Sequence, residues 1–383
     1  MMKGNKKKKV SSCIPILSFF TGGGFLDIGF EMAGFFSVWT NEVNPVFAKL
    51  YAYGMTQWRQ SIFAQSPPAA ISTTRNIENL FAPEIIKQAF CQGKPKLFGI
   101  IGGPPCPDFS AGGKNRGGKG INGRLSKIFI NRIINIKPSF FVFENVSGLY
   151  KTKIHRVFLS GLEQRLERQG YCLDLKILNA LEHGVPQNRE RLFMVGIQRE
   201  YTCRCLGREI DEQERGWFPW PSNGKYKNAK IRFPWPGIIQ NGEEPILQNG
   251  VPVELTVYSV LNLDNCPLKI QNGNDIFNAY SEKFSVIKEG DTKRKSFKRL
   301  HRYRFSPTAC YGNNEVHLHP WCNRRLSVRE AMRIQGIPDS YILPEDASLT
   351  SKFALVSNGV PVPLAFEISR KLKKLIQRGG LIG

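Results

Sequence analysis

Long apolar segments are absent from this sequence of 383 residues. No run approaches the roughly 20 residues that a helix needs to span a bilayer, so we expect no membrane-spanning segment and no membrane partner. The basic residues at 3–9 are followed by a short apolar piece without a secretory cleavage site. This pattern predicts a disordered basic tail over residues 1–11 rather than a signal peptide.

Regularly spaced cysteines are also missing. The nine cysteines are scattered and odd in number, which argues against a disulfide framework and for a reducing compartment. Cys203 and Cys205 could form half of a zinc site, but no second pair lies nearby in the sequence. We therefore predict no metal site.

Acidic residues are scarce. The chain has 31 Asp and Glu against 54 Lys and Arg, which gives a net charge of +23. An excess of this size indicates a nucleic-acid-binding protein, although charge alone does not separate DNA from RNA or from an acidic membrane. The 41% hydrophobic share is enough to bury a full α/β core and a second, smaller domain.

Cys106 follows a short apolar run at residues 97–101, which is typical of a buried strand. The cysteine would therefore lie at the carboxyl end of a strand, where open α/β sheets bind ligands. Pro104 and Pro105 fix the backbone before it, and glycines are frequent after it. A stiff approach and a mobile exit suit a nucleophile that is held while a loop closes over it. A structural cysteine in a proline-rich turn is the alternative interpretation.

A glycine turn at residues 21–24 separates a predicted strand at 14–20 from a predicted helix at 25–34. A strand, a glycine turn and a helix in this order form a nucleotide-type site, because the backbone can approach a ligand closely. The next predicted strand, 36–40, is followed closely by Glu42. A carboxylate at this position is where ribose hydroxyls are bound in such folds.

Charged residues also lie at two further predicted strands. The apolar run 140–146 contains Glu144, and a buried strand does not accommodate a glutamate readily unless it faces a site. Arg189 and Arg191 precede a predicted strand at 192–197, and alternate residues of an extended chain point the same way. An arginine pair of this kind is otherwise a solvated surface or a salt bridge.

Helical periodicity marks the remaining segments. Residues 153–168 predict a helix whose core face carries Ile154, Val157, Phe158, Leu162 and Leu166. Ser327 and Glu330 predict a capping box at the start of a later helix. A closing helix is predicted over residues 363–376.

In this order the segments resemble the DNA (cytosine-5)-methyltransferase family. The motifs are Pro105-Cys106, Glu144-Asn145-Val146, Gln187-x-Arg189-x-Arg191 and Arg325-x-x-x-Arg329-Glu330. The matching segments cover residues 14–198 and 324–376. The resemblance implies a class I S-adenosylmethionine-dependent methyltransferase: an α/β fold with a doubly wound, mostly parallel, Rossmann-like sheet and a smaller, irregular target-recognition domain.

The resemblance, together with a change of texture after residue 198, predicts four parts of the chain. Pro, Gly and Asn become frequent there and helical periodicity fades. The parts are the basic tail 1–11, a catalytic and cofactor-binding domain 12–198, a target-recognition domain 199–340 and a C-terminal segment 341–383 that returns to the catalytic domain. Residues 325–335 would brace the recognition domain.

The resemblance also implies four catalytic residues. Cys106 would add as a thiolate to carbon 6 of cytosine, which makes carbon 5 nucleophilic. Glu144, with its pKa raised by a dry pocket, would act as the acid at N3. Arg191 would hold the cytosine O2, and Arg189 would help to position the site formed by Cys106 and Glu144.

S-adenosylmethionine is the cofactor that the resemblance implies. Asn76 stands where the family usually has an aspartate, so it would meet the adenine amino group through an uncharged oxygen. The cofactor-binding residues are then Phe20, Thr21, Gly22, Gly24, Glu42, Val43, Asn76, Ile77, Pro105, Leu125, Asn358 and Val360.

DNA contacts are expected from two basic segments. The cytosine must leave the base stack to react, and the glycine-rich residues 111–120 fit a lid over the flipped base. Residues 292–304 carry many basic residues with aromatics between them, in the part of the chain that the motifs leave unmatched. The predicted DNA-binding residues are Ser110, Lys114, Arg116, Lys293, Arg294, Lys298, Arg299 and Arg302.

The expected partner is double-stranded DNA, and a restriction endonuclease would act alongside the enzyme. We expect a monomer in the bacterial cytoplasm, associated with the nucleoid. Three alternatives stay open: a tRNA cytosine-5 methyltransferase of the same family, a catalytically inactive DNA-binding relative, and a small-molecule methyltransferase. The basic excess and the long unmatched region disfavour the last of these.

Overall fold

A computed structural model gives the structure of the protein. It describes residue 10 and residues 13–64, 67–105, 121–211, 213–262, 267–278, 281–294, 296–309, 311 and 317–381.

Six strands form the central sheet. They are β1 (Ile14–Phe19), β2 (Phe35–Asn41), β3 (Gly99–Gly102), β4 (Phe140–Val146), β5 (Tyr171–Asn179) and β6 (Glu190–Gln198). Their order across the sheet is β2-β1-β3-β4-β6-β5. The first four run parallel, whereas β6 lies antiparallel between β4 and β5. The predicted mostly parallel α/β sheet is thereby confirmed.

Both faces of the sheet are apolar. Alternate side chains of a strand point to opposite sides, so a continuous apolar run supplies apolar side chains to both faces. In β4, Phe140 and Val142 pack into one buried cluster, and Phe141 and Phe143 pack into another. A strand buried on both faces reads as a continuous apolar run, which is why the sequence pattern located it.

Helices cover both faces. They are α1 (Phe25–Ala33), α2 (Pro45–Ile62), α3 (Ala82–Ala89), α4 (Ile121–Ile136), α5 (Gly148–Lys151), α6 (Lys153–Glu167), α7 (Arg199–Leu206), α8 (Ala229–Arg232), α9 (Val257–Leu261), α10 (Lys283–Val286), α11 (Val328–Ile334), α12 (Leu349–Asn358) and α13 (Val362–Arg378). Helices α1, α7 and α13 contribute to the cluster on one face, and α3, α4 and α6 contribute to the other. The result is a three-layer α/β/α arrangement. No helix in the described part of the chain is both long and apolar enough to cross a membrane.

Helix α6 confirms the predicted helix but corrects its buried face. Leu162 and Leu166 are buried as expected, whereas Ile154 is 76% exposed and Val157 is 73% exposed. The buried face instead includes Leu159, which the sequence pattern did not select. Apolar residues extend over two faces of this helix, and docking against the sheet decides which face is buried.

Little regular structure occurs between α7 and α11. Short 3-10 turns and the two-residue strands β7 (Lys298–Arg299) and β8 (His317–Leu318) are joined by loops. Aromatic residues attach the beginning of this region to the large sheet, since the Trp217 indole donates to the Leu173 carbonyl at 3.0 Å. The backbone N–H of Phe218 donates to the Asp174 carboxylate at 2.8 Å.

Helix α11 joins this irregular region to the rest of the protein. Its capping box, with Ser327 as N-cap and Glu330 at the third position, is confirmed. Val328 and Met332 pack with side chains of α1 and α2, whereas Ile334 packs with side chains of α9. Helix α11 therefore contacts helices of the predicted catalytic domain, α1 and α2, and a helix of the predicted target-recognition domain, α9.

Candidate active site

The glycine turn lies at the carboxyl end of β1, where the sequence placed it. Phe20, directly before the turn, and Gly22 and Gly24 within it have positive φ angles of 54°, 54° and 75°. A phenylalanine in this region of backbone space is uncommon and is held there by its surroundings. A Cβ atom on Gly22 would meet no atom within 4 Å, so the turn borders open space that a ligand can enter.

Glu42 ties the second strand to this turn. Its carboxylate accepts hydrogen bonds from the backbone N–H of Gly22 at 2.9 Å and of Asn44 at 2.8 Å. Burial raises the pKa of Glu42, and these backbone donors oppose the shift. Thr21 is also buried, and its hydroxyl donates to the Asn41 carbonyl at 3.1 Å. Val43, next along the chain, is 57% exposed.

The segment containing Asn76 and Ile77 lies beside the end of β2. The Asn41 side chain donates to the carbonyls of Thr73 and Arg75 at 3.0 and 2.9 Å. Asn76 is exposed, and its side-chain oxygen accepts from the Glu78 backbone N–H at 3.0 Å, which caps the 3-10 turn Ile77–Asn79. Ile77 is buried in the core.

The other predicted cofactor residues come from three elements. Pro105 is exposed, Leu125 on α4 is half-buried, and Asn358 is exposed at the end of α12. Val360 is buried in the same cluster as β1 and α1. The neighbouring Gly359 lies against the Phe25 ring, so close that a Cβ atom there would stand 2.0 Å from a ring carbon. Residues 358–360 therefore lie beside the start of α1.

Glu144 lies at the carboxyl end of β4, against the segment that leads to Cys106. A Cβ atom on Gly103 would stand 2.6 Å from Oε2 of Glu144, so only glycine lets the carboxylate approach this backbone so closely. The Arg191 Nε lies 3.0 Å from Oε1 of Glu144. Burial raises the pKa of Glu144, and the charges of Arg191 and Arg189 partly oppose this. A buried carboxyl group of this kind is suited to donate a proton.

Arg189 connects the candidate site to two distant segments. Its side chain is nearly fully buried. The guanidinium donates to the carbonyls of Ala309 at 3.1 Å, Ser357 at 2.6 Å and Gly359 at 2.9 Å. Arg189 directly precedes β6, and it thus links this strand to residue 309 and to the carboxyl end of α12.

Asn145 received no role from the sequence, although it directly follows Glu144. Its amide donates to the Pro104 carbonyl at 3.4 Å, and its oxygen accepts from the Val146 N–H at 2.9 Å. It thereby links the end of β4 to the residues before Cys106. The sequence signal that could have pointed to Asn145 is an amide next to a carboxylate at the end of a predicted strand.

The sequence of the chain matches the model of a known protein family. The family model for C-5 cytosine-specific DNA methylase matches residues 14–374. The chain belongs to this family.

Relatives agree with this membership. Type II methyltransferase M.NmeDI of Neisseria meningitidis serogroup C is 40% identical over 371 residues, which cover 94% of this chain and 84% of that protein. Type II methyltransferase M.FnuDI of Fusobacterium nucleatum is 28% identical over 373 residues, covering 95% of each. This chain is a DNA (cytosine-5-)-methyltransferase of the type II restriction-modification kind.

Solved structures support the fold. A prophage-encoded protein of E. coli has a TM-score of 0.59 at 22% identity, covering 95% of this chain and 99% of that one. Dnmt2 methyltransferase of S. pombe has a TM-score of 0.55 at 13% identity, covering 94% and 98%.

Several residues that the sequence predicts for the site of this methyltransferase do not lie at this edge of the described sheet. Cys106, Ser110, Lys114 and Arg116 lie outside the described residues, as does the predicted lid at 111–120.

In the second basic segment, Lys293 and Arg294 are exposed and Lys298 is half-buried. Arg294 also pairs with Asp291 at 3.4 Å. Both exposed side chains lie at the surface, where a phosphate could approach them.

Arg299 and Arg302 require a correction, because both are buried. Arg299 donates to the carbonyls of Ile287 and His319 at 2.8 Å each, and also to those of Phe284 and Cys322. Arg302 pairs with the fully buried Glu289 through Nη2 at 3.0 Å. Their hydrogen-bonding groups are bound within the protein, so the prediction that they contact phosphate was wrong.

Proposed function

We propose that this enzyme methylates carbon 5 of one cytosine within a specific duplex DNA sequence. The observation that carries the proposal is the position of Glu144. Its buried carboxyl group lies beside Arg191 and against Gly103, three residues before Cys106. This brings an acid, a cation and the segment of the nucleophile to the carboxyl edge of one sheet.

The chemistry needs a covalent step because carbon 5 of cytosine is a poor nucleophile. The Cys106 thiolate adds to carbon 6, and a carbon–sulfur bond forms as electron density moves to N3. Glu144 gives a proton to N3, and the burial that raises the pKa of its carboxyl group favours the protonated form that this step needs. Carbon 5 then has the enamine character that lets it accept a methyl group. Loss of the carbon 5 proton to water, departure of the thiolate and return of the N3 proton to Glu144 restore the aromatic ring.

Arg191 and Arg189 have different proposed roles. Arg191 lies at 13% side-chain exposure beside Glu144, where it can also meet the cytosine O2. Arg189 acts through other groups, since its guanidinium holds the carbonyls of Ser357 and Gly359. We therefore treat Arg189 as a positioning residue.

S-adenosylmethionine fits the turn at the end of β1, and family members generally use it. The open space at Gly22 and the buried Glu42 carboxylate provide a close backbone and a hydroxyl acceptor. When bound, it supplies an electrophilic methyl group. Phe20, Thr21, Gly22, Gly24 and Glu42 would hold it, together with Val43, Asn76, Ile77, Pro105, Leu125, Asn358 and Val360.

The irregular region after α7 is the proposed target-recognition domain. It carries the exposed Lys293 and Arg294, which would contact the phosphate backbone. Helix α11 packs with both α1 and α9, so it would brace the proposed domain, residues 199–340, against the catalytic domain.

The proposed biological role is protection of host DNA from a cognate restriction endonuclease. The names of the similar type II methyltransferases support this role. We expect a monomeric enzyme in the cytoplasm in contact with the nucleoid, and light scattering of the purified protein would check its oligomeric state.

Covalent trapping tests the proposed function. The protein is mixed with S-adenosylmethionine and a library of duplexes that carry 5-fluorocytosine, whose fluorine blocks the final elimination. We expect an adduct at Cys106 on one short sequence. Cys106→Ser should give none, and the matched control Cys91→Ser, at an exposed cysteine, should still be trapped.

Other outcomes decide between the alternatives. Trapping on RNA but not on DNA would establish the tRNA methyltransferase. Specific DNA binding without an adduct on either nucleic acid would favour the inactive relative.

A further inference from the structure

Tyr341 reaches the glycine turn from the far end of the chain. Its hydroxyl donates to the Gly23 carbonyl at 2.8 Å, although the two residues are 318 positions apart. Gly23 lies between Gly22 and Gly24, which both have left-handed backbone angles. The Tyr341 side chain is fully buried, so solvent does not replace this bond.

The Tyr341 ring is fixed in place by its packing. Its edge meets the Phe25 ring, with centroids 5.3 Å apart and an angle of 70° between the planes. The ring also lies on Gly54 of α2, where a Cβ atom would stand 2.3 Å from the ring carbon that carries the hydroxyl. Gly54 therefore provides the space that lets the hydroxyl reach the turn.

The backbone of Tyr341 is held as well. Its carbonyl accepts a hydrogen bond from Arg329 Nη2 at 2.9 Å, and its N–H donates to the Pro338 carbonyl at 2.9 Å. Arg329 also donates through Nε to the Gln271 carbonyl at 3.0 Å. The hydroxyl is thus presented by a rigid support.

The turn needs such support because its conformation is unfavourable. Left-handed backbone at Phe20 is strained and persists only where neighbouring contacts enforce it. The end of β2 holds the first half of the turn through Thr21 and Glu42. Tyr341, which comes much later in the sequence, holds the second half of the turn at the Gly23 carbonyl.

We propose that Tyr341 is a positioning residue for the methyl donor, which acts by fixing the Gly23 carbonyl and with it the turn. The proposal rests on the proposed function, because it assigns S-adenosylmethionine to this turn. Loss of the hydroxyl leaves the ring and every catalytic group in place. It therefore weakens cofactor binding and leaves the rate constant of the saturated enzyme nearly unchanged.

The test compares Tyr341→Phe with Tyr51→Phe. Tyr51 is also fully buried and packs beside the same turn, but its hydroxyl lies 3.5 Å from the Asp27 carboxylate and contacts no turn carbonyl. Calorimetry measures the Kd of S-adenosylmethionine and of S-adenosylhomocysteine for both variants. We expect a rise of about tenfold for Tyr341→Phe, on the scale of one lost buried hydrogen bond, and less than twofold for Tyr51→Phe.

Two further readouts separate positioning from a general loss of stability. In methylation assays, KM for S-adenosylmethionine should rise about tenfold with kcat within twofold of wild type. Hydrogen exchange should accelerate at the amides of residues 21–24 in Tyr341→Phe and stay unchanged in the strands of the sheet.

The contrary results are distinct. An unchanged Kd, or exchange that accelerates equally in the turn and in the sheet, would overturn the role of Tyr341. Failure of the wild-type protein to bind S-adenosylmethionine at all would overturn the proposed cofactor, and this inference with it.

Discussion

Asp27 on α1 carries a fully buried carboxyl group that the reaction does not use. It accepts hydrogen bonds from the hydroxyls of Ser37 at 2.7 Å and Ser18 at 3.0 Å. Burial raises the pKa of Asp27 from 3.8 to about 6, and these hydroxyl donors limit the rise. Replacement by asparagine keeps the shape and one acceptor while removing the titration.

The size and sign of the effect follow from this pKa. Because the folded-state pKa exceeds the unfolded one, Asp27 contributes stability below pH 3.8 that is lost as the pH rises through about 6. The full loss is about 3 kcal/mol, at 1.36 kcal/mol per pKa unit. Between pH 5 and pH 7 the calculated part of the loss is about 1.3 kcal/mol.

Urea unfolding of wild type and Asp27→Asn at pH 5, 6 and 7 measures this difference. We expect the variant to gain about 1.3 kcal/mol in unfolding free energy relative to wild type over that range. Removing a donor with Ser37→Ala should raise the pKa of Asp27 further and move the transition to higher pH, because that bond lowers the pKa. A difference between wild type and Asp27→Asn that does not change with pH would refute the reasoning.

Five other substitutions test the site, the surface and the core. Glu144→Gln should lower kcat by about 10²–10⁴-fold while duplex binding in gel-shift assays is retained, and near wild-type kcat would contradict the proton-donor role. Arg294→Ala should weaken DNA binding and reduce the slope of the logarithm of the binding constant against the logarithm of the salt concentration by about one. Arg299→Ala, at a buried residue, should instead lower the unfolding free energy by about 3 kcal/mol or more. In urea unfolding, Leu159→Ala should lower the unfolding free energy by about 2–5 kcal/mol. Val157→Ala should lower it by less than about 0.5 kcal/mol, because Val157 is 73% exposed. Equal losses for the two variants would contradict the buried face of α6.

Much of the sheet and its edge could be predicted from the sequence. Strand β4 is buried on both faces, so its apolar run was continuous, and Glu144 stood out within it. The glycine turn after β1 and the carboxylate after β2 were readable because a nucleotide-type site requires both at fixed positions in the chain. The capping box at Ser327 is a purely local signal, and the structure confirms it.

Features that depend on tertiary contacts were not readable. The sequence shows that residues 298–302 are basic, but burial of Arg299 depends on carbonyls contributed by residues 284–287 and 319–322. Charge patterning assigns such arginines to solvent by default. The partner of Tyr341 is equally remote, since nothing near Gly23 in the sequence points to residue 341.

The bonds of Arg189 also bear on when activity arises during synthesis. All six strands of the main sheet lie within residues 14–198, so they are synthesised before the segments that contain residues 309, 357 and 359. The acceptors of Arg189 include carbonyls at 309, 357 and 359, which emerge later. A nascent chain can thus form its sheet before its catalytic edge is braced. A chain cut short before residue 309 would therefore contain the six strands and Glu144 without the hydrogen bonds that brace Arg189.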